Sequence, residues 1–258
     1  MSKISFHKIL YALFFLMIFP TSASATSSST MIDQAGLQRM LTQRIVKAYA
    51  QILIDVDSSK AQIQLEQAAA LFEKQLVLLE QQAPDESVQA ALAKVELLWS
   101  DFKPIITGPV NSEGIKRLLA IDDELLAATH QVVIKLQDHS GTTQAKLVNT
   151  AGRQRMLSQR IAKLYLLMSS GIKDAELSQK LQSARYEFEG AQADLKTAPQ
   201  NTAAIQKSLA EVDRQWTIFK TSFQLSEGKY IPLLVALAAE KIFKQMDQVT
   251  TMYVQLEQ

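Results

Sequence analysis

Residues 35–49 read A-G-L-Q-R-M-L-T-Q-R-I-V-K-A-Y, and residues 151–165 read A-G-R-Q-R-M-L-S-Q-R-I-A-K-L-Y. Eleven of the fifteen positions agree, at a constant offset of 116. A chain that carries one stretch twice displays what both copies keep. Here that is a glycine, a methionine, glutamines, a tyrosine and three cations, an odd set for one helix.

Spaced at about 100° per residue, the set separates into faces. Leu37, Leu41, Ile45, Ala48 and Ile52 form an apolar stripe, repeated by Leu157, Ile161, Leu164 and Met168. Arg153 stands in the second copy where Leu37 stands in the first. The stripe reads as core. The opposite face carries Gly36, Arg39, Met40, Gln43, Arg44 and Lys47, matched by Gly152, Arg155, Met156, Gln159, Arg160 and Lys163. A face that only had to be wetted would not need Gly and Met twice. Glycine within a helix costs about 0.5–1 kcal/mol relative to alanine, so its repetition predicts a close approach to the backbone.

Outward from the motif the chain is helical in composition. It has 258 residues and 47% hydrophobic content, with only eight glycines and six prolines, which predicts an all-α fold. A first helix is expected from about Asp33, as its N-cap, to about Asp55. A second should end near Gln82, a third before Pro104, and a fourth near His139. The plan then repeats. Thr143 to Ser170 holds the second motif copy, Leu181 and Phe188 answer Leu65 and Phe72, and a last helix should run from Tyr230 to Glu257. Val212, Trp216 and Phe219 answer Val95, Trp99 and Phe102, now at an offset of 117. The expectation is two consecutive four-helix-bundle repeats, over residues 26–141 and 142–258, packed as a fused pseudo-dimer with the motif helices side by side. Trp99 and Trp216 should be core anchors, and Tyr49 and Tyr165 should mark the core edge.

Residues 1–25 read as an export signal. Lys3 and Lys8 precede an apolar run from Ile9 to Phe19, and Ala23-Ser24-Ala25 supplies a cleavage site. Cleavage after Ala25 would leave a periplasmic protein that does not span the membrane. Removing the two lysines leaves 25 basic and 26 acidic residues, no excess to attract nucleic acid. With no cysteine there is no disulfide or thiolate metal site. His130 and His139 meet Met246 and Gln255 at the offset of 116, so neither is assigned to metal or catalysis. No nucleophile with its base and no paired-carboxylate cleft stands out. The reading is a protein that is not an enzyme and needs no cofactor or metal.

The pattern Gly-x-x-Arg-Met-x-x-x-Arg, preceded by alanine and opening an exported four-helix unit, resembles the periplasmic sensor domain of nitrate/nitrite sensor kinases. The fuller R-Q-R-M-L-S-Q-R of residues 153–160 is more similar to the N-terminal domain of type IV pilus methyl-accepting chemotaxis transducers, of the same superfamily. In the nitrate sensors two subunits place their first helices together, and the arginine three residues after the glycine holds one anion between them. The resemblance therefore implies a ligand site at Gly36, Arg39, Met40 and Gln43 with Gly152, Arg155, Met156 and Gln159. Gln38 and Gln154 stand where the nitrate sensors carry an apolar residue. No transmitter region is evident either, which implies a separate membrane-bound sensor or chemoreceptor partner.

Electrostatics bears on the same positions. Six cations (Arg39, Arg44, Lys47, Arg155, Arg160 and Lys163) at one interface need acids or a bound anion, and Asp122 and Asp123 could supply some of that charge. Arg44, Lys47, Arg160 and Lys163 are expected as secondary contacts. Two function classes follow. One is a sensor-type protein for a small anionic ligand, an oxyanion such as nitrate or nitrite, acting in signalling or chemotaxis. The other is an interaction scaffold whose cationic helix face docks an acidic partner.

Overall fold

The computed structural model describes residues 27–172, 175–224 and 229–256; the expected export signal at 1–25 lies outside the described residues. Among the described residues eight α-helices follow one another: α1 (Ser28–Leu53), α2 (Ser58–Gln82), α3 (Glu86–Ile106), α4 (Ser112–Ser140), α5 (Thr143–Ser169), α6 (Ala175–Thr197), α7 (Ala203–Thr221) and α8 (Pro232–Gln255), with a short 3₁₀ turn at Ser222–Gln224. Helices α1–α4 form one bundle and α5–α8 the other, and α1 packs along α5 to join them. The fused pseudo-dimer expected from the repeated motif is the observed architecture.

Local chemistry sets the ends. The Ser27 hydroxyl accepts from the Thr30 amide and starts α1 five residues before the expected Asp33, which frees the Asp33 side chain for another partner. Asp85 caps α3 through the Val88 amide. Pro104 lies inside the last turns of α3 and does not end it, because it is exposed and water can reach the carbonyl it leaves unpaired. Gly141, at φ 65°, takes the left-handed conformation that turns α4 into α5.

Within the motif stretches 35–49 and 151–165 neither helix has an exposed residue. Helix α1 touches α2, α4 and α5, and α5 touches α1, α6 and α8, so polar and apolar faces alike are enclosed. The apolar stripe is core, with Leu41, Ile45, Ala48, Leu157, Ile161 and Leu164 buried. Trp99 stacks on Phe72 and Trp216 packs tilted against Phe188, at centroid distances of 4.1 and 4.4 Å. Their indole N–H groups donate to Glu73 and Glu189, which also correspond by the offset. The motif tyrosines sit deeper than the core edge and tie down the helix that closes each bundle. The Asn111 amide donates to the Tyr49 hydroxyl at 3.1 Å, and the Ile231 amide to Tyr165 at 3.0 Å.

Candidate functional site

The two glycines face each other where α1 crosses α5, and what crowds them is arginine. A Cβ on Gly36 would stand 3.4 Å from Arg155 Nη2 and 4.0 Å from the Gly152 Cα. One on Gly152 would stand 3.2 Å from Arg155 Nη2 and 3.9 Å from Arg39 Nη2. The close approach predicted by the repeated glycine is thus two guanidinium groups drawn across the crossing.

These arginines are both fully buried, yet their partners differ. Arg155 donates from Nη1 to Asp247 Oδ1 and from Nη2 to Asp33 Oδ1, each at 2.6 Å, and also to the Asp33 carbonyl. It therefore has two carboxylates, one from the neighbouring repeat and one from α8. Arg39 has none. Its Nη1 stands 2.9 Å from His130 Nδ1 and donates to Asn149 Oδ1 at 3.1 Å, while Nη2 donates to the Asn149 carbonyl. Gln137 accepts from the Asn149 amide at 2.7 Å, which turns the Asn149 oxygen toward Arg39. Nε of each arginine lacks a partner among the described residues.

The correspondence is residue for residue. Asn149 is Asp33 at the offset of 116, and His130 is Asp247 at the offset of 117. His130, which has no acidic counterpart at 116, acquires one once the extra residue of the second repeat is counted. Burial lowers the Arg39 pKa to about 9, the Arg153 and Arg155 charges add to the shift, and Glu187 opposes it. Burial likewise lowers His130 to about 4, assisted by Arg39 and Arg153. The imidazole is therefore neutral at pH 7, and it is wedged between two donors, with Nε2 3.2 Å from Arg153 Nη1. A neutral ring has one lone pair and one N–H, so it accepts from one guanidinium and turns a hydrogen toward the other.

Beside this corner is a cavity of about 270 Å³ between α1, α4, α5 and α6, lined by Arg39, Asp123, Leu126, Ala127, His130, Arg153, Met156, Arg160 and Glu187. Arg153 pairs with Glu187 in its wall. A larger groove of about 380 Å³ shares Arg160 and Glu187 with it but lies away from the arginine crossing, and its remaining lining is ordinary surface. Around Arg155 the positions equivalent to Arg153, Leu126 and Glu187 are Leu37, Phe243 and Leu71, all three packed against the core. There the ring of Phe243 lies under the Arg44 guanidinium at 4.7 Å.

The remaining motif cations pair across the repeats. Lys163 donates to Asp122, which also accepts from Gln43 at 2.9 Å. Lys47 and Arg44 share Glu240, at 2.5 and 2.7 Å. Arg160 meets Asp123 at 3.3 Å. Gln159 donates to the Ala239 carbonyl at 3.3 Å, in the place that Asp122 holds for Gln43. Burial lowers Lys47 to about 8 although Glu240 opposes it, and burial lowers Lys163 against the pull of Asp122. Burial alone would raise Glu240, but Lys47 and Arg44 hold it below the usual carboxylate range.

Of the residues implied by the resemblance, only Arg39 and Met156 line the cavity; Met40 is core, and Gln43, Gln159 and Arg155 have partners within the protein. Arg39, Lys47, Arg155 and Lys163 are buried, so the cationic face expected of a scaffold is not available to an acidic partner, because α4 and α8 cover it. Asn149 and Asp247 carry no signal in the sequence, Asp33 reads there as an N-cap, and His130 is assigned no metal or catalytic role. Arg153 was visible as a charge in an apolar stripe.

A duplicated four-helix unit with its arginine motif at the internal dimer seam is a sensor-domain architecture. The family described as type IV pili methyl-accepting chemotaxis transducer N-terminal matches residues 21–122 and again residues 139–251, and the chain belongs to that family as a tandem pair. No curated protein and no solved structure matches it. No helix among the described residues is long and apolar enough to cross a membrane.

Proposed function

We propose that this chain is an exported, periplasmic sensing module that binds one small oxyanion at the Arg39 corner and acts through a separate membrane partner in signalling or chemotaxis. Signal-peptide cleavage after Ala25 would deliver it there. The observation that carries the reading is the unequal pair of arginines. A buried guanidinium without a carboxylate is costly, and an anion beside it removes that cost. Asp33 and Asp247 already hold that place around Arg155. The resemblance implies an anion clamped by both arginines; on this reading the chain instead supplies one half of the clamp with its own carboxylates. An anion at Arg39 would draw α4, α1 and α5 together through His130 and Asn149, which is a change a partner could sense.

The test is calorimetry on the mature protein with nitrate, nitrite, formate and other small oxyanions, comparing wild type with Arg39→Met. A charge-assisted hydrogen bond contributes about 1.5–3 kcal/mol, so the variant should bind at least about tenfold more weakly. Equal affinity in the two proteins, or no binding of any small oxyanion to wild type, would overturn the reading.

A further inference from the structure

We infer that the ligand class is a short-chain organic monocarboxylate, seated in the cavity between α1, α4, α5 and α6. This rests on the reading of Arg39 given above and adds what the rest of the cavity can hold. Its space of about 270 Å³ is several times the ~30 Å³ share of one liquid water, so a bare inorganic oxyanion would leave most of it empty. It approaches the ~300 Å³ at which small-molecule sites begin.

The lining divides by chemistry. At one end Arg39 and Arg153 flank His130 at 2.9 and 3.2 Å, and the single imidazole lone pair serves only one of them. A carboxylate placed there offers two acceptor oxygens, takes a hydrogen bond from each guanidinium, and leaves the imidazole N–H a partner. Arg39 Nε is buried without a partner among the described residues, so the charge of this guanidinium is not fully met within the protein. Leu126, Ala127 and Met156 form an apolar wall. Arg160, Asp123 and Glu187 complete the lining; the two carboxylates are paired with Arg160 and Arg153 and leave no cation for a second acid group. One acid head and a short apolar tail match this division.

The second repeat supports the assignment by contrast. Where the cavity has Leu126, Arg153 and Glu187, the other side has Phe243, Leu37 and Leu71, packed against the core. One copy of the space is bordered by hydrocarbon, and the other carries a guanidinium and a carboxylate in its wall.

The experiment titrates formate, acetate, propionate, butyrate, nitrate and butyramide into the mature protein, by calorimetry and by thermal shift. Affinity should rise by up to roughly fourfold for each methylene that enters the apolar wall, so butyrate should exceed formate by at least about tenfold. Butyramide, which has the tail without the charge, should bind far more weakly. Leu126→Phe, the residue found at the equivalent position, should cost butyrate at least about tenfold more than it costs formate. Ala127→Leu, at an exposed position on the cavity rim, is the second variant should the first fail to fold. Nitrate and formate binding through Arg39 with no gain for butyrate would overturn this inference and leave the proposed function standing. Butyrate bound equally by wild type and a folded cavity variant would also overturn it. If no anion binds, both fall together.

Discussion

Arg39 and Arg155 occupy the same position in two copies of one motif, and the protein treats them oppositely. Arg155 is enclosed by two carboxylates, which sit at 27% and 46% side-chain exposure and so retain some hydration of their own. Arg39 is enclosed by an amide, a carbonyl and a neutral imidazole. The fold is the same around both, because the helix crossing, the glycine pair and the flanking tyrosines are shared. The difference is confined to side chains that reach the guanidinium groups. A pseudo-symmetric scaffold has thus kept its frame on both sides while neutralising the buried charge on only one. The lesson is that burial and charge compensation are separable, and that an uncompensated half is where a ligand has something to add.

The largest effect bearing on this comparison lies about two helical turns away, at the two lysines. Lys163 and Asp122 are buried at 2% and 3% side-chain exposure, and losing Lys163 would strand a carboxylate with only the Gln43 amide. Lys163→Met should cost about 3–5 kcal/mol. Lys47 pairs instead with Glu240, which is 23% exposed and keeps Arg44 at 2.7 Å, so Lys47→Met should cost only about 1–2 kcal/mol. Urea titrations of both variants measure this from the midpoints. Equal losses would show that the two repeats compensate their charges alike and would break the comparison.

The next effect supplies the missing carboxylate. His130→Asp places at Arg39 the residue that Asp247 provides at Arg155. The new charge-assisted bond should stabilise the ligand-free protein by about 1–2 kcal/mol and abolish anion binding, because the site would carry its own anion. Thermal melts with and without butyrate read both outcomes. A variant that still binds as wild type does would place the anion elsewhere.

Much of the frame was legible because the motif occurs twice. Identical residues at a constant offset marked α1 and α5 as the seam, and the repeated Trp-x-x-Phe helices marked the cores. The corner that matters was hidden for three physical reasons. One extra residue enters the second repeat between Phe188 and Val212, so His130 and Asp247 correspond only at an offset of 117. Asp33 reads as an N-cap until Ser27 is seen to take that role. The third is that a helix with strong polar positions looks half-exposed in sequence, and only the packing of α4 and α8 shows that both its faces are enclosed. Arg153 was the one visible clue, a charge where the first copy has leucine, and it proved to line the cavity.

The smallest predicted effect is the pH response of His130. Burial and the charges of Arg39 and Arg153 lower its pKa from the ordinary 6.5 to about 4. As pH falls below 6.5 the unfolded chain takes up a proton at this ring while the folded protein does not, until about pH 4. Stability contributed by the neutral ring is therefore complete above 6.5 and lost on acidification through that window. The full shift would be worth roughly 3 kcal/mol at 1.36 kcal/mol per unit, and partial exposure of the ring brings the expected loss to about 1–2 kcal/mol. His130→Gln cannot take up the proton, so its stability relative to wild type should rise by that amount between about pH 7 and pH 4.5, with carboxylate titrations cancelling in the difference. Saturation with an anion should reduce part of the effect, because a negative charge beside Arg39 and Arg153 offsets the two charges that add to burial in holding the ring neutral. At Arg155 the equivalent group is already a carboxylate, and no ligand is required to the same end. Chemical denaturation across pH, with and without butyrate, measures both. A difference between wild type and His130→Gln that stays flat with pH would mean the imidazole feels neither burial nor the two guanidinium groups, and the contrast between the two corners would then lose its electrostatic basis.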